Sequence, residues 1–236
     1  MMSSRGYDMT PTMYSPDGRI YQVEYAMETV KKGTLAIGVV GAEGVVMAVE
    51  EKARALQTAG KTHKIFQVDS HIGVAAAGYI PDARIMVDNA RLFAQNNRIS
   101  YDDTAGVGMV AKYLADNSHQ FTQYGGGRPN GVALIIGGVD QAASLYVTDP
   151  SGAFGAYSAM AIGAGSDEVN LFLEQNYSPE CSLDEAAKLT IRAINKKSEK
   201  FGDTTNIKMA KITTKTKTFE RISDEDLAAY AQQSGS

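Results

Sequence analysis

Gly33-Thr34 opens one β-rich run, Glu50 closes the next, and Lys64 begins a third. Antiparallel neighbours of this length could bring the threonine, the acid and the lysine to one place. A threonine whose own α-amino group has been freed by cleavage is a working nucleophile, because the amine acts as base and a nearby lysine lowers its pKa. The plainer reading makes Thr34 a β-branched strand residue and Lys64 a charge at a strand edge. On spacing alone the plainer reading prevails.

Other motifs carry less. Ala59-Gly60-Lys61-Thr62 ends like a phosphate loop, but Ala55 stands where the first glycine belongs, and a strand rather than a helix follows. Gly163 and Gly165 ahead of Ser166 read as a strand-to-helix turn rather than an anion cradle. His63, His71 and His119 have neither the i, i+4 spacing nor the paired carboxylates of a metal site, and no cofactor is called for. Asn176-Tyr177-Ser178 fits a glycosylation pattern, which matters only on a secretory route. The turn-forming run Tyr14-Ser15-Pro16-Asp17-Gly18-Arg19 and the following Gln22-Val23-Glu24-Tyr25-Ala26 stand ahead of the first strand.

The elements that must position these residues follow from apolar spacing. Residues 1–12 have no apolar period and read as an irregular, mobile tail. Val23, Met27 and Val30 predict a helix over 21–32, stopped by Gly33. Strands are expected over 34–40, 44–50, 64–68 and 72–78, joined as two short hairpins. A helix from Pro81 to about residue 97 carries Ile85, Asn89, Leu92 and Phe93, and a second over 102–121 turns Val107, Val110, Leu114 and Phe121 inward. Strands resume over 132–139, 144–149 and 154–163, the first two reading as buried on both faces. Ser166 is expected to cap a helix to residue 175, and Ser182 with Glu185 forms a capping box for another to residue 197. Strands over 207–214 and 218–222 precede a last helix opened by Ser223-Asp224-Glu225-Asp226, with acids at its positive end. Strand runs separated by helix pairs suit an α+β fold, a four-layer αββα sandwich of two antiparallel sheets in one domain over 1–236.

Composition excludes several classes. The chain has 236 residues, 44% hydrophobic, with 23 Lys+Arg against 27 Asp+Glu and a formal charge of −4. A chain of this size buries roughly three quarters of its unfolded surface without disulfide or metal. The acidic balance argues against a nucleic-acid partner. The lone Cys181 and an N-terminus without a charged, apolar, small-residue succession lead us to expect a reducing, cytoplasmic setting. Apolar runs such as 132–139 fall short of the roughly 18 residues of a bilayer span, so no membrane partner is expected.

The run YSPDGRIYQVEYAMETVKKG, from Tyr14 to Gly33, resembles the N-terminal signature of the α-subunits of the 20S proteasome, and TQYGGGRPNGVALIIGGVD, from Thr122 to Asp140, resembles the archaeal type. The resemblance spans nearly the whole chain and implies an N-terminal-nucleophile hydrolase-like sandwich. It implies a scaffold and gate rather than a catalyst: a seven-membered α-ring that templates a ring of β-subunits and admits unfolded protein substrates to a degradation chamber. The positions matching the gate are Tyr7, Asp8, Pro16 and Tyr25, with a tail over 1–12 and a turn plus helix over 13–33. Met9 stands where that family usually has Arg, so charge-assisted contacts to neighbouring subunits are lost. The positions matching the pocket for an ATPase activator with a hydrophobic-Tyr-X C-terminus are Gly33, Lys64, Gly78 and Tyr79.

The alternative is an autoprocessed β-type threonine protease, with Thr34 as nucleophile supported by Glu50 and Lys64. Processing at Gly33-Thr34 would discard the helix over 21–32, and Glu50 replaces the Asp expected there, so we favour the scaffold. In a sandwich covered by helices on both faces that helix has nowhere to bury its apolar side, so it is expected to pack partly against a neighbouring subunit.

Overall fold

The computed structural model describes residues 6–51, 56, 63–124, 126–196 and 204–234. Helix α1 (Tyr21–Lys32) leads into strands β1 (Ala36–Gly41), β2 (Gly44–Glu50), β3 (Ile65–Asp69) and β4 (Ile72–Gly78). Helices α2 (Ile80–Tyr101) and α3 (Val107–Gln123) are followed by β5 (Val132–Val139), β6 (Ala143–Thr148), β7 (Phe154–Ala156) and β8 (Ala159–Ile162). Helices α4 (Ser166–Asn176) and α5 (Leu183–Asn195), strands β9 (Ile207–Thr213) and β10 (Phe219–Arg221), and helix α6 (Asp224–Ser234) complete the order.

The strands form two antiparallel five-stranded sheets, ordered β10-β9-β2-β1-β8 and β3-β4-β5-β6-β7. Three apolar layers explain why several strands are apolar at nearly every position. Alternate residues of β1 and β2, including Ile37, Val39, Val46 and Ala48, pack on α4, α5 and α6. The intervening Ala36, Val45, Met47 and Val49 meet Ala75, Ala77, Ile135 and Leu145 of the second sheet. That sheet's outer face packs through Val74, Leu134 and Ile136 on α2 and α3. The four-layer αββα arrangement is as the element order predicts.

Several local expectations are corrected. The single strand over 154–163 is two strands in different sheets: Tyr157 N–H bonds the Leu145 carbonyl at 3.0 Å in one, and the Ser158 carbonyl accepts from Val40 N–H at 2.8 Å in the other. Strand β6 is only half-buried at most positions, lying beside the three-residue edge strand β7. Helix α3 starts at Val107, since Asp102 adopts a left-handed conformation that ends α2. Its Phe121 lies 43% exposed beyond the buried Val110 and Leu114 stripe. Buried positions of α2 are Ala83, Met86, Val87, Ala90 and Ala94, leaving Ile85 and Leu92 exposed. Gly165, not Ser166, is the N-cap of α4. The Ser182–Glu185 capping box is present, and Ser223 Oγ accepts from Asp226 N–H at 3.1 Å. The sequence 59–62 and residue 197 lie outside the described residues.

Helix α1 finds more of its cover within the chain than its pattern suggests. Ala26 and Val30 are buried, Val30 inside the inter-sheet core, while Val23 and Met27 remain half-buried. Gly33 ends the helix at φ −70°, so no left-handed turn requires glycine there. The requirement is proximity: a Cβ on Gly33 would stand 2.2 Å from Gly78 N.

The exposed edge of β8 is closed by a side chain. Asn170 on α4 accepts from Ala161 N–H at 2.8 Å and donates to its carbonyl at 3.1 Å, imitating a neighbouring strand. Asn170→Leu strands both buried backbone groups, and we expect a loss of about 2 kcal/mol and a Tm lowered by roughly 4–8 °C in thermal unfolding. An unchanged Tm would show that water replaces the amide.

Candidate functional site

Where β1 begins, the structure does assemble the threonine and lysine. Lys64 Nζ donates to Thr34 Oγ1 at 2.7 Å and to the carbonyls of Thr34, Glu50 and Leu35 at 2.8, 3.1 and 3.2 Å. Thr34 Oγ1 in turn donates to the Glu50 carbonyl at 2.6 Å. Glu50 thus contributes its backbone oxygen at this contact, and its carboxylate acts only as a nearby charge. Lys64 is 5% exposed. Burial pushes its ammonium down to about 8, against the opposing charges of Glu51 and Glu50.

The base that such a threonine needs is missing while the chain is continuous. Thr34 N belongs to the Gly33-Thr34 peptide, and the Gly33 carbonyl accepts from Ala164 N–H at 2.8 Å. With α1 packed into the inter-sheet core just upstream, the pair is a dry ammonium bound to oxygen atoms, without a free amine.

The same corner holds the other residues of the expected docking pocket. Gly33 and Gly78 meet backbone to backbone, Gly78 having φ +117° and room for no Cβ beside the Gly131 carbonyl. Ala76 N–H donates to the Lys64 carbonyl at 3.0 Å, linking β3 to this end of β4. Tyr79 is half exposed, and its N–H bonds the Gly131 carbonyl at 2.8 Å. Sequence reasoning missed what supports it. The Arg128 guanidinium lies 5.3 Å from the Tyr79 ring centroid and makes a forked pair with Asp82, at 2.6 and 2.9 Å. Asp82 also accepts from Gly131 N–H at 2.9 Å. Burial would raise the Asp82 carboxyl, but the bonds from Arg128 and Gly131 outweigh it and hold it below its ordinary range. Asp82 and Arg128 are 46 residues apart, and the only local signal was an acid in the first turn of α2.

Between α1, Tyr79 and the segment 128–131 lies a cleft of about 320 Å³, lined by Gln22, Tyr25, Thr29 and Arg128 among others. At its α1 side sits the N-terminal segment. Tyr25 OH donates to Asp8 Oδ2 at 3.3 Å, and Gln22 Nε2 donates to the Asp8 carbonyl. Pro16 is exposed in a turn closed by Gly18 N–H to the Ser15 carbonyl at 2.9 Å, with Gly18 at φ +74°. Arg19 then pairs with Glu24 and lies 5.1 Å from the Tyr21 ring centroid, which fixes the turn to the first turn of α1. Tyr7 is 37% and Met9 83% exposed. Two of the four expected gate residues, Asp8 and Tyr25, are therefore in direct contact.

The histidines lie apart. His71 is buried with Nε2 2.9 Å from the Ala105 carbonyl, and His119 Nδ1 is 3.2 Å from the Ser151 carbonyl. Among the described residues no group of three His, Cys, Asp or Glu could hold a metal ion, and no helix is long and apolar enough to cross a membrane.

The two-sheet sandwich agrees with what comparison with known proteins finds. Residues 30–212 match the family model for proteasome subunits, which sets the class. Residues 7–28 match the family model for the N-terminal signature of A-type proteasome subunits. The chain is 43% identical over 235 residues to the proteasome alpha subunit of Methanosarcina thermophila, covering 99% of this chain and 95% of that one. It is 44% identical over 229 residues to the proteasome alpha subunit of Pyrococcus horikoshii, covering 97% and 88%, and 42% identical over 229 residues to that of Archaeoglobus fulgidus, covering 97% and 93%. This chain belongs to the proteasome α-subunit family.

Proposed function

We propose that this chain is a non-catalytic subunit of the outer ring of a 20S core, in the cytoplasm. Seven copies or near relatives form the ring, which templates the β-subunits and controls the entry of unfolded protein to the chamber. The observation that carries the reading is the segment ahead of Thr34. It holds the family's N-terminal signature, and its last helix is built into the core through Val30 rather than hung on as a removable leader. The exposed Ile85, Leu92 and Ile99, at seven-residue intervals on α2, support a role in assembly.

In this reading the tail gates the axial pore through Tyr7, Asp8, Pro16 and Tyr25, and the pocket at Gly33, Lys64, Gly78 and Tyr79 receives the C-terminus of an ATPase activator with a hydrophobic-Tyr-X tail. Lys64 forms the cationic floor. Its three protons already face carbonyl and hydroxyl oxygens, so an incoming carboxylate must displace one of them.

The contact of 2.7 Å between Lys64 and Thr34 favours one rival, a threonine protease exposed by cleavage before Thr34. Native mass spectrometry of the purified chain separates the two. We expect a seven-membered ring, single or stacked, whose denatured chain retains everything N-terminal to Thr34. A chain starting at Thr34 would overturn the scaffold reading.

A further inference from the structure

We propose that Gln22 is the latch that ties the N-terminal segment to the body of the protein through the backbone carbonyl of Asp8. The inference rests on the gating reading for its consequence, but the latch itself stands on contacts within this chain. Among the described residues, the two hydrogen bonds that hold 6–14 to the rest of the chain both end on Asp8, one from Gln22 and one from Tyr25. They are not equal. The Tyr25 bond is long, at 3.3 Å, and exposed, so water competes for it. The Gln22 bond is partly buried, on the wall of the cleft that also contains Tyr79 and Arg128.

The spacing of the two donors explains how one residue of the tail is held. Gln22 and Tyr25 are three apart on α1 and so share a face. Stacking of Tyr21 on Tyr25, with ring centroids 6.4 Å apart, and the Arg19–Glu24 pair keep that turn of the helix in register. The carboxamide grips the main chain of residue 8 while the phenol meets its side chain, so the direction of the tail is set by a backbone contact insensitive to the identity of residue 8. Met9 is largely exposed and has no charge to pair.

The test is limited proteolysis of the full chain with a chymotrypsin-type protease, following cuts at Tyr7 and Tyr14 and using Leu56, fully exposed in the intact protein, as internal reference. Gln22→Leu should raise the relative cutting rate at Tyr7 and Tyr14 by roughly tenfold, since cleavage tracks the released population, and Tyr25→Phe should raise it less. An unchanged rate in Gln22→Leu, or a larger effect from Tyr25→Phe, overturns the latch. Peptide hydrolysis by particles assembled with β-subunits is read separately. Faster cutting with faster hydrolysis supports latch and gate together, whereas faster cutting with unchanged hydrolysis keeps the latch and removes the gating reading.

Discussion

Deleting residues 1–33 should abolish ring formation, whereas deleting only 1–12 should leave rings whose pore admits peptides several-fold faster. The asymmetry follows from what each segment touches. Among the described residues, 6–12 bond to the body at Asp8, and none of the seven is buried, so their loss uncovers little. The longer deletion removes α1 and with it the burial of Ala26 and Val30, of which Val30 alone is worth about 1.5–3 kcal/mol. It also removes the backbone of Gly33 from Gly78 and the partner of Ala164 N–H, loosening the ends of β4 and β8 together. Half-buried Val23 and Met27 leave an apolar remainder on α1 that would suit a neighbour in the proposed ring. Size-exclusion chromatography with multi-angle light scattering should therefore find monomers or aggregates for the longer deletion and ring-sized particles for the shorter. Intact rings without 1–33 would end the idea that α1 is an assembly element.

What could be read in advance divides by the distance over which the controlling interaction acts. The bounds of α1 and the capping box of α5 are set within a turn of helix, and both are where periodicity and cap chemistry place them. The sandwich itself follows from the grouping of strands and helices. The passage from one sheet to the other at Tyr157-Ser158 was invisible, because each residue bonds a different distant strand and no turn residue marks the change. Similarly, Glu50 could be placed beside Thr34 from hairpin spacing, but not that its carbonyl rather than its carboxylate makes the contact. Arg128 supports Tyr79 across a loop and two helices, and Gln22 reaches back 14 residues to a segment without any period. Such pairings exist only once the sheets have brought the ends of β4, β5 and α1 together.

Replacing Lys64 with methionine should abolish stimulation of peptide hydrolysis by a hydrophobic-Tyr-X tail while leaving in place ring assembly and the basal hydrolysis of particles assembled with β-subunits. Methionine keeps the aliphatic stem and removes the charge, so the fold loses one buried cation and the Thr34 carbonyl loses its donor. The pH dependence of the natural chain gives an independent check. The Lys64 ammonium is lost as pH rises through about 8, and stimulation that needs a cation under the tail carboxylate should fall over the same range. Stability should move the other way. In the unfolded chain Lys64 titrates near its ordinary 10.5, so between about 8 and 10.5 the unfolded state binds more protons and this group makes unfolding harder as pH rises. Below that window the buried ammonium costs about 3 kcal/mol, a cost that Lys64→Met lacks. Because the two trends have opposite signs, a loss of stimulation above pH 8 cannot be assigned to unfolding driven by Lys64, and the Met variant should show neither trend from this site. Stimulation that persists unchanged to pH 9.5, or that survives in Lys64→Met, would move carboxylate recognition away from Lys64.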